Sequence, residues 1–162
     1  MTVLFAGSFH PPTNGHIDII QTAAGMFDKV IAAILVNAGK RYTISAEERL
    51  SMLKRCISGI PNAEAVIGSG LTAAFAKEQG ADALVRGVRS TADFEYELQI
   101  ADVNRKLYGI ETIFLPTKPE LSFVASSIVM DIARHGGDIG GFVPSIIQKD
   151  IFACIEREIK GE

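Results

Sequence analysis

Residues 2–24 read "TVLFAGSFHPPTNGHIDIIQTAA", a strand, a loop and a helix in that order. "TVLFA" is a short apolar run of strand length. "IDIIQTAA" places Ile17, Ile20 and Ala24 on one helical face. Between them, residues 7–16 ("GSFHPPTNGH") hold two glycines, two prolines and two histidines. A strand-to-helix connection ordinarily takes about two to six residues, so this one carries more turn chemistry than a link requires. Gly7 and Ser8 close the strand, and Gly15 and His16 open the helix. Glycine lets backbone approach a ligand closely, and a helix N-terminus offers unpaired N–H groups and a positive dipole end. Neither G-x-G-x-x-G nor G-x-x-x-x-G-K-[ST] is present. A long turn capped by Thr13 or Asn14 is the plainer reading of the same residues.

Strand and helix alternate along the rest of the chain. "KVIAAILV" (29–36) is apolar almost throughout, as for a strand covered on both faces. "SAEERLSMLKRCI" opens with Ser45 and Glu48 at capping-box spacing. Then come "AEAVIG", the helical "LTAAFAKEQG" and the strand "ADALVRG". Ser90 and Asp93 cap "FEYELQIADVNRKL", and "ETIFLP" is a fifth strand. "SSIVMDIARHGG" is a helix ended by glycines, and a last helix follows Pro144. This alternation predicts a doubly wound five-stranded parallel sheet, α/β and Rossmann-like, with residues 1–162 as one domain.

Composition narrows the function. The 162 residues carry 16 Lys and Arg against 19 Asp and Glu, a net charge of −3. That argues against nonspecific nucleic-acid binding, which needs a broad basic face. Cys56 and Cys154 form no C-x-x-C pair and read as buried hydrophobes. No secretory pattern and no membrane-length apolar run is present, and the first strand starts almost at residue 1. The expectation is a cytoplasmic protein with no membrane partner.

In doubly wound sheets ligands bind beyond the C-terminal strand ends. There the sequence has "GSFHPPTNGH", "NAGKRY" (37–42), "RGVR" (86–89) and "PTKPELSFVASS" (116–127). Lys40, Arg41, Arg86, Arg89 and Lys118 are thereby expected on one rim of an acidic protein, which points to an anion site.

The stretch "GSFHPPTNGH" resembles the T/H-x-G-H signature of the nucleotidyltransferases, whose fold is related to class I aminoacyl-tRNA synthetases. More narrowly, "TNGHIDII", "RGVRSTADFEYE" and "SFVASSIVMDIARHGGDI" together resemble the bacterial phosphopantetheine adenylyltransferases, in register over nearly the whole chain. The resemblance implies an enzyme of coenzyme A biosynthesis. ATP and 4′-phosphopantetheine would give dephospho-coenzyme A and pyrophosphate, with Mg²⁺ as cofactor and no protein ligand set for it. The resemblance also implies a homohexamer, a dimer of trimers. An attacking phosphate is already an anion, so such a reaction needs positioning and charge stabilisation rather than a base.

Residue roles follow from the same likeness. His16, Lys40 and Arg89 are implied as catalytic, with His16 stabilising the α-phosphate transition state. Ser8, Phe9, His16, Gly87, Val88, Arg89 and Glu97 are implied as ATP contacts. So is the run Leu121, Ser122, Phe123, Val124, Ala125, Ser126 and Ser127. Ser8, Lys40, Thr72 and Arg86 are implied on the phosphopantetheine side. By residue type alone, His16 also reads as a capping histidine and Phe9 as core. Arg86 and Arg89 also read as ion-pair partners of Asp93 or Glu97, and Ser126 and Ser127 as N-caps. Thr72 opens what reads equally as a core helix. Three positions depart from the family. His10 stands where many relatives carry Asp, Ala125 replaces a serine, and Leu121 stands where some carry Trp.

Rival readings are a nicotinate-mononucleotide adenylyltransferase, recognised by H-x-G-H where this chain has Thr13, and a glycerol-phosphate cytidylyltransferase. A noncatalytic nucleotide- or coenzyme A-sensing module on the same fold is the third.

Overall fold

The computed structural model describes residues 1–36 and 39–161. Asn37 and Ala38, the first two residues of "NAGKRY", lie outside the described residues.

Five parallel strands run in the order β3-β2-β1-β4-β5. They are β1 (Thr2–Gly7), β2 (Lys29–Val36), β3 (Ala63–Ser69), β4 (Ala83–Val88) and β5 (Glu111–Pro116). Between and after them lie α1 (Asn14–Met26), α2 (Ala46–Cys56), α3 (Thr72–Glu78), α4 (Thr91–Tyr108), α5 (Ser126–Arg134) and α6 (Gln148–Lys160). Alternate residues of each strand enter different layers, as the two-residue period of a strand demands. Val3, Phe5, Val30, Ala32, Ala83 and Val85 pack with Ile17, Ile20 and Ala23 of α1 and Leu53 of α2. Leu4, Ile31, Ala33 and Leu84 pack on the other face, with Ala73, Phe75 and Ala76 of α3. The continuous apolar run of β2 is thereby explained, since both of its faces are covered.

The order reverses direction at β1, and this is the switch point at which such sheets open. Pairing of β1 with β4 runs from Val3↔Ala83 to Phe5↔Val85 and stops. Beyond it, β1 stays with β2 as far as Gly7↔Ile34, while β4 follows β5 as far as Val88↔Pro116. The two strands part after Phe5 and Val85, and side chains at their ends face a gap.

A third cluster joins the C-terminal helices to α2. Val129, Met130 and Ala133 of α5 meet Ile151, Cys154 and Ile155 of α6 over Met52 and Ile44. Through it the C-terminal region backs the first loop, where the Asn14 amide N–H donates to the Phe142 carbonyl at 2.8 Å.

Candidate active site

The gap between β1 and β4 holds a cavity of about 210 Å³. Ala6 and Gly7 end one wall, and Arg86 and Gly87 the other. Gly15 and His16 of α1, Arg89 and the stretch Val124 to Ser126 complete it.

His16 reaches the cavity through local chemistry. Thr13 caps α1, its hydroxyl accepting from the His16 amide at 3.3 Å. In return the Thr13 amide donates to His16 Nδ1 at 3.0 Å. This reciprocal box normally uses Glu or Gln at the third helical position; here an imidazole does it. Because Nδ1 accepts, the ring's proton sits on Nε2. The ring packs at 4.8 Å from Phe9, whose own ring stands edge-on to Phe5 at 5.6 Å. Burial, then the charges of Arg89 and Arg86, lower the His16 pKa to about 4. His16 is therefore a neutral hydrogen-bond donor at pH 7, and the capping and cavity readings hold together.

Both arginines are held by carboxylates. Arg86 donates through Nε and Nη2 to the two oxygens of Glu97 at 2.7 and 2.5 Å. Its Nη1 donates to the Ala6 carbonyl at 2.8 Å, bridging the split strands. Three of five N–H groups are thus used, and two remain for a ligand. Glu97 is buried on α4. Arg89 is held more loosely, at 3.3 Å to each oxygen of Asp93. Burial by itself raises the Asp93 pKa, but the hydrogen bonds from Arg89 carry it below the usual range. Ser90 caps α4 as expected, its hydroxyl accepting from the Asp93 amide, but the Asp93 carboxylate does not return the bond and turns to Arg89.

Gly87 leaves room where a side chain would not. A Cβ there would lie 2.9 Å from Cγ1 of Ile19. The opposite wall comes from the start of α5, where expectation fails in one respect. Neither Ser126 nor Ser127 caps that helix; Ala125 holds the cap position with no side-chain bond. The Ser126 hydroxyl donates to the Pro11 carbonyl at 2.8 Å, fastening this wall to the first loop. The open end of α5 keeps its N–H groups and dipole for an anion.

Comparison with known proteins places the chain in a family. Residues 4–132 match the model of the cytidylyltransferase-like family. The phosphopantetheine adenylyltransferase of Desulfatibacillum aliphaticivorans is 45% identical over 151 residues, which are 93% of this chain and 86% of that one. The enzyme of the same name from Caldanaerobacter subterraneus subsp. tengcongensis is 46% identical over 155 residues, 95% of this chain and 97% of its own. The chain belongs to the phosphopantetheine adenylyltransferase family. A solved Vibrio parahaemolyticus structure described as a nicotinate-nucleotide adenylyltransferase superposes with a TM-score of 0.71 over 97% of this chain and 95% of that one. At 17% identity that likeness shows the Rossmann-like fold alone.

Within that family frame, the expected site residues separate. His16, Arg86, Gly87, Arg89, Glu97, Leu121, Val124, Ala125 and Ser126 line the cavity. Ser8 is exposed just past β1, and Phe9 is fully buried with φ 46°, so its ring is core as its residue type suggested. Val88 is half-buried, while Ser127 and Phe123 are exposed. Ser122 donates its hydroxyl to the Pro119 carbonyl. Lys40 is exposed in the loop after β2 and does not line the cavity. Thr72 lines a second, smaller hollow of about 100 Å³ with Asn104 and Thr112. Arg86 and Glu97 border both hollows.

The expected rim of five cations is therefore not one cluster. Lys118 pairs with buried Asp18 at 2.6 Å, which raises the Lys118 pKa. Arg41 borders a separate hollow with Arg134 and Glu158. Sequence reading missed Asp18, Asn104 and the fully buried Arg49. For Arg49 a signal exists: Arg49, Met52 and Leu53 share the three- and four-residue spacing of a buried helical face.

Proposed function

We propose that the protein transfers the adenylyl group of ATP to 4′-phosphopantetheine, releasing dephospho-coenzyme A and pyrophosphate. One observation carries the reading. Arg86, oriented by Glu97, borders both the larger cavity and the smaller hollow, and neutral His16 lines the larger. A triphosphate in the first and an acceptor reaching in from the second would meet at that guanidinium.

The acceptor phosphate attacks the α-phosphorus; a new O–P bond forms as the bond to the leaving pyrophosphate breaks. That phosphate is anionic at neutral pH, so no base is required. Catalysis then consists of holding two anions together and stabilising charge on the α-phosphate. His16 Nε2–H donates to a non-bridging oxygen, Arg89 neutralises charge on the nucleotide side, and Ser8 and Lys40 hold the acceptor phosphate. Leu121 to Ser127 enclose the nucleotide, with the open end of α5 toward its phosphates. Thr72 and Asn104 receive the acceptor's arm.

Mg²⁺ fits as an ion carried by the triphosphate. Among the described residues no three His, Cys, Asp or Glu side chains gather to hold a metal. Asp93 and Glu97, which line the cavity, are already engaged by arginines. Bound to ATP, the ion would supply positive charge to the phosphates, as Mg²⁺ commonly does. Among the described residues no helix is long and apolar enough to cross a membrane. We place the protein in the cytoplasm and expect a homohexamer, for which the exposed Tyr96, Val103 and Leu107 of α4 offer apolar surface.

The test is turnover with ATP and one of three acceptors: 4′-phosphopantetheine, nicotinate mononucleotide or glycerol phosphate. Pyrophosphate release with the first alone is the expected result. Equal or greater rates with either of the others would overturn the acceptor assignment, and nucleotide binding without turnover would favour a sensing module.

A further inference from the structure

Two loops that carry expected acceptor contacts meet away from the cavity. Ser8 lies on the first loop. Lys40 lies on the second, which leads from β2 into α2 and has no regular structure over residues 39–45. Among the described residues, none of 39–45 lines the cavity. Fixing one residue's backbone costs about 1–2 kcal/mol, so a loop that must aim a lysine needs contacts that hold it.

Those contacts converge on Arg49, which is 1% exposed on α2. Its Nη1 donates to the Ser8 carbonyl at 2.6 Å and its Nε to the Ser45 carbonyl at 3.2 Å. Its guanidinium lies 4.2 Å from the centroid of the Tyr42 ring, two residues beyond Lys40. His10 makes the second crossing: Nε2 accepts from the Ile44 amide at 3.2 Å, and its ring meets the Tyr42 ring at 5.1 Å. From outside, Arg134 of α5 and Glu158 of α6 close on Thr43. Arg134 Nη2 donates to the Thr43 hydroxyl at 2.7 Å, and that hydroxyl donates to Glu158 at 2.7 Å.

We propose that Arg49 and His10 are positioning residues that lock the Lys40 loop to the Ser8 loop and so set the geometry of the acceptor phosphate. The inference rests on the reading of Ser8 and Lys40 given above. Only an arginine offers a planar face for Tyr42 together with edge donors for carbonyls on both loops; a lysine has one point charge. Neither residue lines the cavity, so each acts through the loops. Displacement of a reacting group by about 1 Å can cost about 100-fold in rate, which makes such a brace visible in kinetics.

Substituting Arg49 would empty a fully buried position and remove the bond to the Ser8 carbonyl, a change that threatens folding itself, so His10 is the better probe. His10→Phe keeps the ring against Tyr42 and removes the acceptor; His10→Gln keeps an acceptor near the same point. For His10→Phe we expect the KM for 4′-phosphopantetheine to rise about tenfold, the scale of one lost buried hydrogen bond, with kcat reduced. ATP affinity by calorimetry stays within about twofold, since the nucleotide wall is tied to this loop by the Pro11 carbonyl and not by the His10 ring, and His10→Gln recovers most of the loss. Amide exchange gives a readout independent of turnover: Tyr42→Leu should speed exchange at residues 8–10, on the opposite loop, several-fold. A wild-type acceptor KM in His10→Phe, no recovery in His10→Gln, equal loss of ATP affinity, or unaltered exchange at residues 8–10 would each overturn the brace. If the wild-type protein does not use 4′-phosphopantetheine, the functional reading fails, and exchange alone decides the brace.

Discussion

His16 closes a helix cap and also presents a donor to the cavity, because the two nitrogens of an imidazole are distinct. Nδ1 closes the helix cap, and the tautomer so selected leaves a donor on Nε2. On the proposed reading, removing the ring removes the donor but little of the nucleotide's binding surface. We expect His16→Ala to lower turnover by about 100- to 1,000-fold, the scale of one lost donor to a developing oxyanion. ATP affinity by calorimetry should change far less, and near-normal turnover would exclude the role. The same residue sets a pH dependence of stability. His16 and His10 are both lowered to about 4, chiefly by burial and then by neighbouring arginines. The unfolded chain, with ordinary histidines near 6.5, binds more protons between those values. The histidine contribution is thus complete above pH 6.5 and lost as pH falls from 6.5 toward 4. Urea titrations at stepped pH should follow that slope, and His10→Gln should reduce it.

At the scale of elements, the end of β4 and the start of α4 form one unit. β4 delivers Arg86 and Gly87 to the split in the sheet, and α4 returns Asp93 and Glu97 to hold the two arginines. Arginine fixed in advance loses less freedom when it meets a phosphate. Glu97→Gln keeps the shape but weakens the fork, and we expect acceptor KM to rise about tenfold, consistent with loss of a charge-assisted bond. Gly87→Ala presses a methyl on Ile19 of α1 at 2.9 Å. Overpacking of this kind costs about 1–3 kcal/mol. Both the unfolding midpoint and ATP affinity should fall; unchanged ATP binding would mean that Gly87 faces no ligand.

At the scale of the molecule, the parting of β1 from β4 makes the cavity, and the C-terminal cluster closes it from behind. If α4 presents its apolar residues to a neighbouring copy, light scattering should give six times the 17.4 kDa chain mass. A monomer at micromolar concentration would exclude that assembly. The five strands were legible in the chain because short apolar runs, those of β1, β2 and β4 covered on both faces, alternate with helical periods. The Ser45–Glu48 box was legible because a cap spans three residues, whereas for α1 the sequence left Thr13 and Asn14 as alternatives and the structure gives the cap to Thr13, with His16 returning the bond. Local periodicity and capping chemistry therefore decided the elements, and the T-x-G-H and R-G-V-R stretches marked which strand ends matter. Only the tertiary structure decided which cations share a hollow. It drew Lys118 to Asp18, gave Arg86 to Glu97, turned Ser126 toward Pro11 and buried Arg49 between two loops. A charged side chain takes its partner by distance in space, and residues 80 or 115 apart in the chain carry no periodic trace of meeting.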